Sequence, residues 1–551
     1  MFALLIGNAC CAEDITVKFN GASAKVKLTK KDSVTVTVNG ANVNIESLYE
    51  EHKLKLRVMG KSNDGQLNLK TAGKAKIKLE GLDLTSQEGA PLCLKNKKKV
   101  EVEAVKGTKN TLTITACNDT ANHKAATIWA KGKLLISGEG TLNIIATGDG
   151  CRGIKSKKDI TIEDVTLNVT TSGDNLGEKP FGFGGFEMPE GGFQMPEGGF
   201  PFGNDSTMRS MFGGFPGGGF PMPNDSTMRG MFGGFPGGGF PMPNDSTMRG
   251  MFGGFPGGGF PMPNDSTMRG MFGGFPEGGM PDFGDFGGFG DFGGFGGFGP
   301  RDENDSIEGG FGGFAGKHKY VASAKGIASK GKIFINSGNV TVRTATAGAE
   351  GIEGKEGIAF NGGNIDVLTP DDAINANNTI EFNGAHVIAH STGNDAVDSN
   401  PPGGFFMFFG NNSQEEESIP VVIRGGTLYA WSEVGSPEEG LDCDFSPLVI
   451  EGGKLFTVGG GMGEMPSVPT NETAKQPTVL LIGFSVAKDE PITIYDSNGK
   501  TIDKVTIPFS MRRSASLITS PAFKVGNTYT VKTKGCERTF TFKENFMTIR
   551  N

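Results

Sequence analysis

Short segments with alternating apolar residues recur along the chain in one frame. Residues 153–162, 326–335, 351–360 and 373–382 each open with a small residue and an apolar residue, and a strand-like alternation follows six residues later. We call the opening apolar residue the anchor. The anchors are Leu94, Ile128, Ile154, Ile327, Ile352, Ile374, Val397 and Leu441. Uninterrupted copies are 22–26 residues apart and end in Gly, Asn and Asp turns, which predicts the coils of a parallel β-helix.

Two insertions interrupt this repeat. Residues 178–316 are dominated by Gly, Phe and Pro and contain a 20-residue unit that begins at Asn204, Asn224, Asn244 and Asn264. Proline removes hydrogen-bond donors and glycine raises the entropy lost on ordering, so we predict that this insertion is disordered. The second insertion is the loop at residues 401–417.

The repeat divides the chain into six segments. They are a signal peptide at 1–12, an N-terminal β region and cap at 13–90, the first coils at 91–177, the Gly/Phe-rich insertion at 178–316, the remaining coils at 317–465 and a C-terminal antiparallel β region at 478–551. The last segment contains the hairpin turn Asn498-Gly499 and covers the open end of the solenoid. We therefore predict an all-β fold, a right-handed parallel β-helix with a C-terminal antiparallel cap.

The first twelve residues are apolar and end in small residues, which is typical of a signal peptide and its cleavage site. The alternative is a buried first strand. Asn-x-Ser/Thr sequons recur along the chain, as at Asn118 and Asn339, and favour a secreted or cell-surface glycoprotein. No later run is long and apolar enough to be a transmembrane segment.

The charge of the chain narrows the choice of partners. The net charge is −8 and the isoelectric point is near 5.4, whereas nucleic-acid-binding proteins carry basic stripes. We therefore expect no nucleic-acid partner. An acidic surface is suited instead to divalent cations.

Acidic residues recur at fixed offsets from the anchor, and equivalent positions become neighbours in a β-helix. Two residues before the anchor, at position −2, lie Glu350, Asp372, Asp395 and Glu439. One residue further back, at position −3, lie Asp371, Asn394 and Glu438. One residue after the anchor, at position +1, lie Glu353, Asn375, Asp398 and Asp442. The residue directly before the anchor is Gly or Ala, which allows a tight bend and brings positions −2 and +1 to one outer edge.

We call these residues the acidic ladder and predict that they bind calcium. Carboxylates about 5 Å apart repel one another, and a set of carboxylate and amide oxygens without imidazole or thiolate is the set that Ca²⁺ prefers. The alternative is that Asp, Asn and Glu suit turns and keep the corners of the solenoid soluble. Position −2 of the preceding coil is Lys325, which we expect to end the ladder electrostatically.

Several of these segments resemble a known family. Residues 161–169, 351–354 and 371–376 are similar to the coils of Cthe_2159-like carbohydrate-binding domain-containing proteins, and residues 481–539 are similar to the C-terminal β region of that family. The resemblance spans most of residues 13–540 outside the large insertion. It implies a parallel β-helix, similar in fold to pectate lyases, that binds calcium and acidic plant-type polysaccharide. The chain departs from the family pattern at Ala373 and Ala396, where the family has glycine, in the acid-free coil at 324–327 and in the insertion.

A polysaccharide lyase is the main alternative to a non-catalytic binder. A lyase needs a basic residue beside the metal, and the candidates Arg152, Arg343 and Arg424 do not visibly repeat with the ladder or flank it. A hydrolase needs a pair of carboxylates, for which Asp371 and Asp372 are candidates. Neighbouring coils repeat the same acids, whereas catalytic residues are usually unique. The repetition therefore favours binding over catalysis.

Two tryptophans are candidates for stacking on sugar rings. Trp129 is the +1 residue of its coil and Trp431 lies at the outward end of a strand, although each could instead shield a coil edge. A third hypothesis is structural. Exposed Phe side chains in residues 178–316 and in the loop at 405–409 favour self-association or adhesion to a surface.

Overall fold

The computed structural model describes residues 14–29, 34–48, 50, 53–117, 124–178, 320–400, 420–443, 447–460 and 467–550. All of these residues belong to one compact unit. They form β-strands and turns, and no helix long and apolar enough to span a membrane occurs among them. The predicted signal peptide, residues 179–316 of the Gly/Phe-rich insertion and the loop at 401–417 lie outside the described residues.

Parallel stacking begins near the N-terminus. Strands β1 and β2 form an antiparallel hairpin, as do β3 and β4, and parallel pairing of β1 with β5 and of β4 with β6 starts the solenoid. The β-helix therefore starts well before the predicted boundary at residue 90. The strands of this part are β1 (Ile15–Asn20), β2 (Ser23–Leu28), β3 (Val34–Asn39), β4 (Asn42–Ser47), β5 (Leu54–Ser62), β6 (Gln66–Thr71), β7 (Ala75–Ser86) and β8 (Leu92–Leu94).

The coils continue on both sides of residues 179–319. Before that segment lie β9 (Val100–Ala104), β10 (Lys109–Ile114), β11 (Ala126–Ala130), β12 (Leu134–Ser137), β13 (Thr141–Ala146), β14 (Arg152–Ser156), β15 (Ile160–Glu163), β16 (Thr166–Thr171) and β17 (Leu176–Glu178). After it lie β18 (Tyr320–Ala322), β19 (Ile327–Ser329), β20 (Ile333–Ile335), β21 (Asn339–Thr344), β22 (Ile352–Gly354), β23 (Ile358–Phe360), β24 (Asn364–Thr369), β25 (Ile374–Ala376), β26 (Ile380–Phe382), β27 (His386–Ser391), β28 (Val397–Ser399), β29 (Val421–Ile423), β30 (Thr427–Ser432), β31 (Leu448–Ile450) and β32 (Lys454–Val458). Strands β17 and β18 pair antiparallel, and the solenoid resumes in register.

Each full coil contributes three strands, so the solenoid has three parallel strips. The anchor strip is the ten-stranded sheet β3-β4-β6-β8-β11-β14-β19-β22-β25-β28, which is parallel apart from its first pair. The second strip is β7-β9-β12-β15-β20-β23-β26-β29-β31. The third strip is β7-β10-β13-β16-β21-β24-β27-β30-β32. The long strand β7 belongs to both the second and the third strip.

Identical positions of successive coils stack in the core. The anchors Ile128, Ile154, Ile327, Ile352 and Ile374 pair in register and are fully buried. The rings of Phe360 and Phe382 stack in the same way, with centroids 5.0 Å apart. This is the spacing of adjacent strands. The predicted frame is confirmed for these anchors.

One predicted anchor is wrong. Leu92, not Leu94, pairs with Ile128, and Leu94 pairs with Ala130. Both leucines are buried, and they alternate with Cys93 along β8. A shift of two residues preserves the inward-facing side of a strand, so hydrophobicity does not distinguish the two registers.

The C-terminal region covers the end of the solenoid. Its strands are β33 (Thr478–Val486), β34 (Pro491–Asp496), β35 (Thr501–Thr506), β36 (Met511–Thr519), β37 (Thr528–Lys532), β38 (Glu537–Thr541) and β39 (Phe546–Ile549). Strand β36 pairs antiparallel with both β32 and β33, whereas β34, β35, β37 and β38 form a separate antiparallel sheet. Asn498 and Gly499 lie in the turn between β34 and β35, where Gly499 has a φ of 77°. These strands pair with the last coil in the way predicted for a cap.

Candidate functional site

The site lies on the anchor strip, where each chain turn from the third strip enters the next anchor strand. Hydroxyl groups at the ends of third-strip strands hold these turns. The Thr369 hydroxyl donates to the Asp371 carbonyl, and the Ser432 hydroxyl donates to the Asn394 carbonyl at 2.7 Å. The Ser391 hydroxyl oxygen accepts the backbone N–H of Asn394 at 2.8 Å. Such local side-chain bonds fix the backbone that carries positions −3 and −2.

After each turn, the backbones of two successive coils approach each other closely. A Cβ atom added to Gly351 would lie 2.4 Å from Val367 Cγ1 and 2.5 Å from the Ala373 carbonyl oxygen. Only a very small residue fits directly before the anchor. The resulting bend brings the side chains at −2 and +1 together, as the sequence predicted, because Lys325 at −2 contacts Glu353 at +1.

Strand register shows that both positions form continuous columns across the insertion. The column at position +1 is Trp129, Lys155, Ala328, Glu353, Asn375, Asp398 and Asp442. The column at position −2 is Ala126, Arg152, Lys325, Glu350, Asp372, Asp395 and Glu439. The −2 column changes from basic to acidic between the coils anchored at Ile327 and Ile352, and the +1 column changes from Lys155 through the neutral Ala328 to Glu353.

The predicted exposure of the acidic ladder is wrong. Glu350, Glu353, Asp372, Asn375, Asp395, Asp398 and Glu439 are buried. Asp371, Glu438 and Asp442 are half-buried. The side chains at −2 and +1 converge across the bend and cover one another. Burial makes their mutual repulsion stronger than at a solvated edge, because the local dielectric is lower.

The first acidic coil is neutralised by lysines. Lys325 Nζ lies 3.2 Å from Glu350 Oε2 and 2.9 Å from Glu353 Oε1, and Lys355 Nζ lies 2.6 Å from the same Glu353 oxygen. Burial opposes ionisation of Glu353, but Lys325 and Lys355 outweigh it and hold the pKa of this carboxyl below its usual range. Burial raises the pKa of Glu350 to about 7. The predicted role of Lys325 is confirmed, and both glutamates are engaged by cationic side chains.

The next two coils form the candidate metal site. One carboxylate oxygen each from Asp372, Asp395 and Asp398 lie within 4.8 Å of one another. Asn375 bridges two of these side chains, because its Nδ2 donates to Asp372 Oδ2 at 3.0 Å and to Asp398 Oδ2 at 3.2 Å. We call Asp372, Asp395 and Asp398 the aspartate triad.

The ionised form of Asp395 is destabilised in this cluster. Its Oδ1 accepts the backbone N–H of Glu439. Burial, and then the negative charges of Asp442, Asp398 and Glu438, nevertheless raise the pKa of Asp395 well above its usual value. A bound cation would offset this effect, because an opposite charge stabilises the ionised form of Asp395.

The other residues of the acidic ladder make bonds that fix the surrounding turns. Asn394 Nδ2 donates to Asp371 Oδ1 at 2.8 Å. Glu439 Oε2 accepts the N–H of Ser467 at 2.8 Å, and Asp442 Oδ1 accepts the Ser467 hydroxyl at 3.2 Å. The ladder is therefore divided into lysine-paired acids, turn-fixing acids and the aspartate triad.

Both tryptophans, the candidates for stacking on sugar rings or for shielding a coil edge, are buried. Trp129 is 4% exposed and packs with Ala90, Cys93 and Ala126. Trp431 is 6% exposed and packs against residues of the C-terminal cap, and the ring centroid of His390 on the neighbouring strand β27 lies 5.9 Å from its own. Their burial supports the alternative that they shield coil edges.

The arginine candidates lie in different places. Arg343 pairs with Asp366 on the third strip, and Arg424 pairs with Glu381 beside the second strip. Arg152, in contrast, lies in the −2 column itself. The prediction that it does not flank the ladder is wrong, because residues 179–319 separate in sequence two coils that are neighbours in space.

Comparison with known proteins gives a family match over part of the chain. The family model described as carbohydrate-binding domain-containing protein matches residues 30–180. The family resemblance of this stretch is confirmed. The matched stretch contains the first coils and ends before the acidic coils. A solved structure of the polysaccharide lyase-like protein from C. thermocellum, as its gadolinium derivative, is 14% identical, with a TM-score of 0.36 over 70% of this chain and 92% of that chain. No curated protein sequence matches the chain.

Proposed function

We propose that this protein is a non-catalytic, calcium-dependent carbohydrate-binding protein that acts outside the cell or at its surface on acidic polysaccharide. The aspartate triad carries the proposal. Calcium is held by oxygen ligands at about 2.3–2.6 Å, so two ligands of one ion are at most about 5 Å apart. The separations within the triad are of this size. The family match over residues 30–180 supports the carbohydrate ligand.

The triad would leave room in the calcium shell for a sugar ligand. Calcium takes about 6–8 oxygens, and three side chains supply only part of them. A half-turn of the Asn375 amide would present its oxygen to the same space, because the two ends of an amide have nearly the same shape. A sugar carboxylate and water are suited to the remaining positions, which makes binding of a polyuronate depend on the ion.

The repetition of acids along the columns supports binding over catalysis. Asp371 and Asp372, the candidate hydrolase pair, have different roles, because Asp371 is bonded to Asn394 and Asp372 belongs to the triad. We therefore expect no unsaturated products when the protein is incubated with polygalacturonate and calcium. Formation of such products would establish a lyase instead.

A matched pair of variants tests the proposal. Binding to immobilised polygalacturonate is measured in millimolar calcium and in EDTA for the wild type, Asp372→Asn and Asp371→Asn. We expect the wild type to bind at least tenfold more tightly in calcium than in EDTA, Asp372→Asn to lose at least tenfold of the affinity in calcium, and Asp371→Asn to bind like the wild type. Equal binding in calcium and EDTA, or equal loss in both variants, would refute the assignment of the triad.

A further inference from the structure

The basic end of the two columns contains a buried lysine that forms no ion pair among the described residues. Lys155 lies at position +1, between Trp129 and Ala328, and is 8% exposed. No hydrogen bond or ion pair joins its amine to another side chain in the described part of the chain. Lysine is rarely so buried unless it is paired, because the ammonium group loses its hydration. The fold therefore holds a basic group at a place where no carboxylate contacts it directly.

Arg152 extends this unpaired basic region. It occupies position −2 of the same coil, and the same bend brings positions −2 and +1 together. Its Nε atom is buried without a hydrogen-bond partner, and Nη2 lies 3.4 Å from the Ser323 hydroxyl, at the edge of hydrogen-bond distance. Arg152 and Lys155 therefore lie close enough for their charges to repel, and each has donor capacity that the described residues do not use.

Glu353 attracts both Arg152 and Lys155 electrostatically, but no ion pair joins it to either of them in the described part of the chain. Glu350 and Glu353 are already held by Lys325 and Lys355 at 2.6–3.2 Å. Burial, followed by repulsion from Arg152, lowers the pKa of Lys155 to about 6. An anion placed between Arg152 and Lys155 would satisfy both groups, and a carboxylate matches the planar donor pattern of a guanidinium.

The register places this basic pair in line with the aspartate triad. Lys155 and Asp398 belong to one column, with Ala328, Glu353 and Asn375 between them. At about 4.8 Å per strand, four steps span about 19 Å. A polysaccharide lying along the axis of the solenoid would place different sugar units at the two ends.

We propose that Arg152 and Lys155 form a direct subsite for a carboxylate of the polysaccharide, separate from the calcium-mediated position at the aspartate triad. This inference deepens the proposed function, because it rests on an acidic polysaccharide as the ligand. It gives the two ends of the column different ways of binding a carboxylate. The triad binds a carboxylate through a cation, and the basic pair binds one without it.

Two variants of the full chain, each expected to lose one ligand response and keep the other, test the subsite. Melting temperature is measured in EDTA with added galacturonate, against sodium chloride of equal ionic strength, and separately with calcium alone. We expect galacturonate to stabilise the wild type and Asp395→Asn but not Lys155→Met. Calcium is expected to stabilise the wild type and Lys155→Met but not Asp395→Asn. Lys131→Met removes the same charge from an exposed position one coil away and should retain both responses.

The outcomes separate the two proposals. An equal galacturonate shift in Lys155→Met and the wild type, or no shift in the wild type, would overturn the subsite whatever calcium does. A galacturonate response without a calcium response would overturn calcium dependence alone. Sulfate at the same concentration is a further arm, and a larger shift with sulfate than with galacturonate would contradict a carboxylate subsite. If Lys155→Met folds poorly, Arg152→Gln provides the same comparison.

Discussion

The two halves of the anchor strip have the same backbone structure but carry side chains of opposite charge. The coils anchored at Ile154 and Ile327 place Arg152, Lys155 and Lys325 at the two outer positions, whereas the coils anchored at Ile374 and Val397 place the aspartate triad there. Hydrogen bonding between successive coils is the same in both halves. A solenoid can therefore change the charge along one strip by substitutions at two positions per coil, without changing its fold.

The boundary between the halves should give the largest mutational effect. Lys325→Met removes the cation between Glu350 and Glu353 and leaves buried carboxylates with less compensation. Breaking a buried ion pair on one side costs about 3–5 kcal/mol, so we expect a loss of that size in the free energy of unfolding. Denaturant unfolding measures it, and exposed Lys332→Met should change stability by less than about 0.5 kcal/mol. A loss below about 1 kcal/mol for Lys325→Met would show that the halves do not depend on this ion pair.

The bend before the anchor should tolerate different residues in the two halves. A Cβ on Gly326 would lie 2.4 Å from Val342 Cγ1, whereas the two coils of the aspartate triad hold Ala373 and Ala396 at this position. We expect Gly326→Ala to destabilise the protein by about 1–3 kcal/mol through overpacking. The reciprocal change Ala396→Gly should cost less, about 0.5–1 kcal/mol, from backbone entropy. Thermal unfolding of both variants checks the order, and equal costs would mean that the two bends are alike.

A smaller effect concerns pH at the boundary. Burial raises the pKa of Glu350 to about 7 in the folded protein, from a usual value of 4.5. The folded state then holds this proton more tightly, so the contribution of Glu350 to stability is full below pH 4.5 and is lost as the pH rises through 7. We expect the wild type in EDTA to lose on the order of 1 kcal/mol across this window relative to Glu350→Gln. Parallel pH profiles of the two proteins would contradict the shift.

Much of the fold could be predicted from the sequence because a solenoid repeats its frame. The anchors from Ile128 to Ile374 follow from small-apolar pairs that recur with constant spacing to the next strand. The register at Leu94 could not be fixed, since Leu92 and Leu94 face the same side of β8. The three-strip arrangement could not be predicted from the repeat, because it is defined by the hydrogen-bond partners of each strand.

The candidate site was only partly predictable. The spacing placed the aspartate triad in adjacent coils, but the burial of the acids depends on side chains that converge across a bend, and no sequence pattern reports this. The basic half was missed because residues 179–319 lie between Lys155 and Ala328. The repeat nevertheless contained the information needed to find it, since Arg152 and Lys155 stand at positions −2 and +1 of the coil anchored at Ile154.

The melting temperature of Asp395→Asn, compared with the wild type in EDTA and in 10 mM calcium, tests the central claim most directly. The neutral amide of this variant would relieve repulsion in the triad, so the variant should melt higher than the wild type in EDTA. In calcium the order should reverse, because a site with a Kd of about 0.1 mM would stabilise the wild type by about 2.7 kcal/mol. A wild type that does not respond to calcium, or a variant that melts lower than the wild type in EDTA, would contradict a cation site built from mutually repelling aspartates.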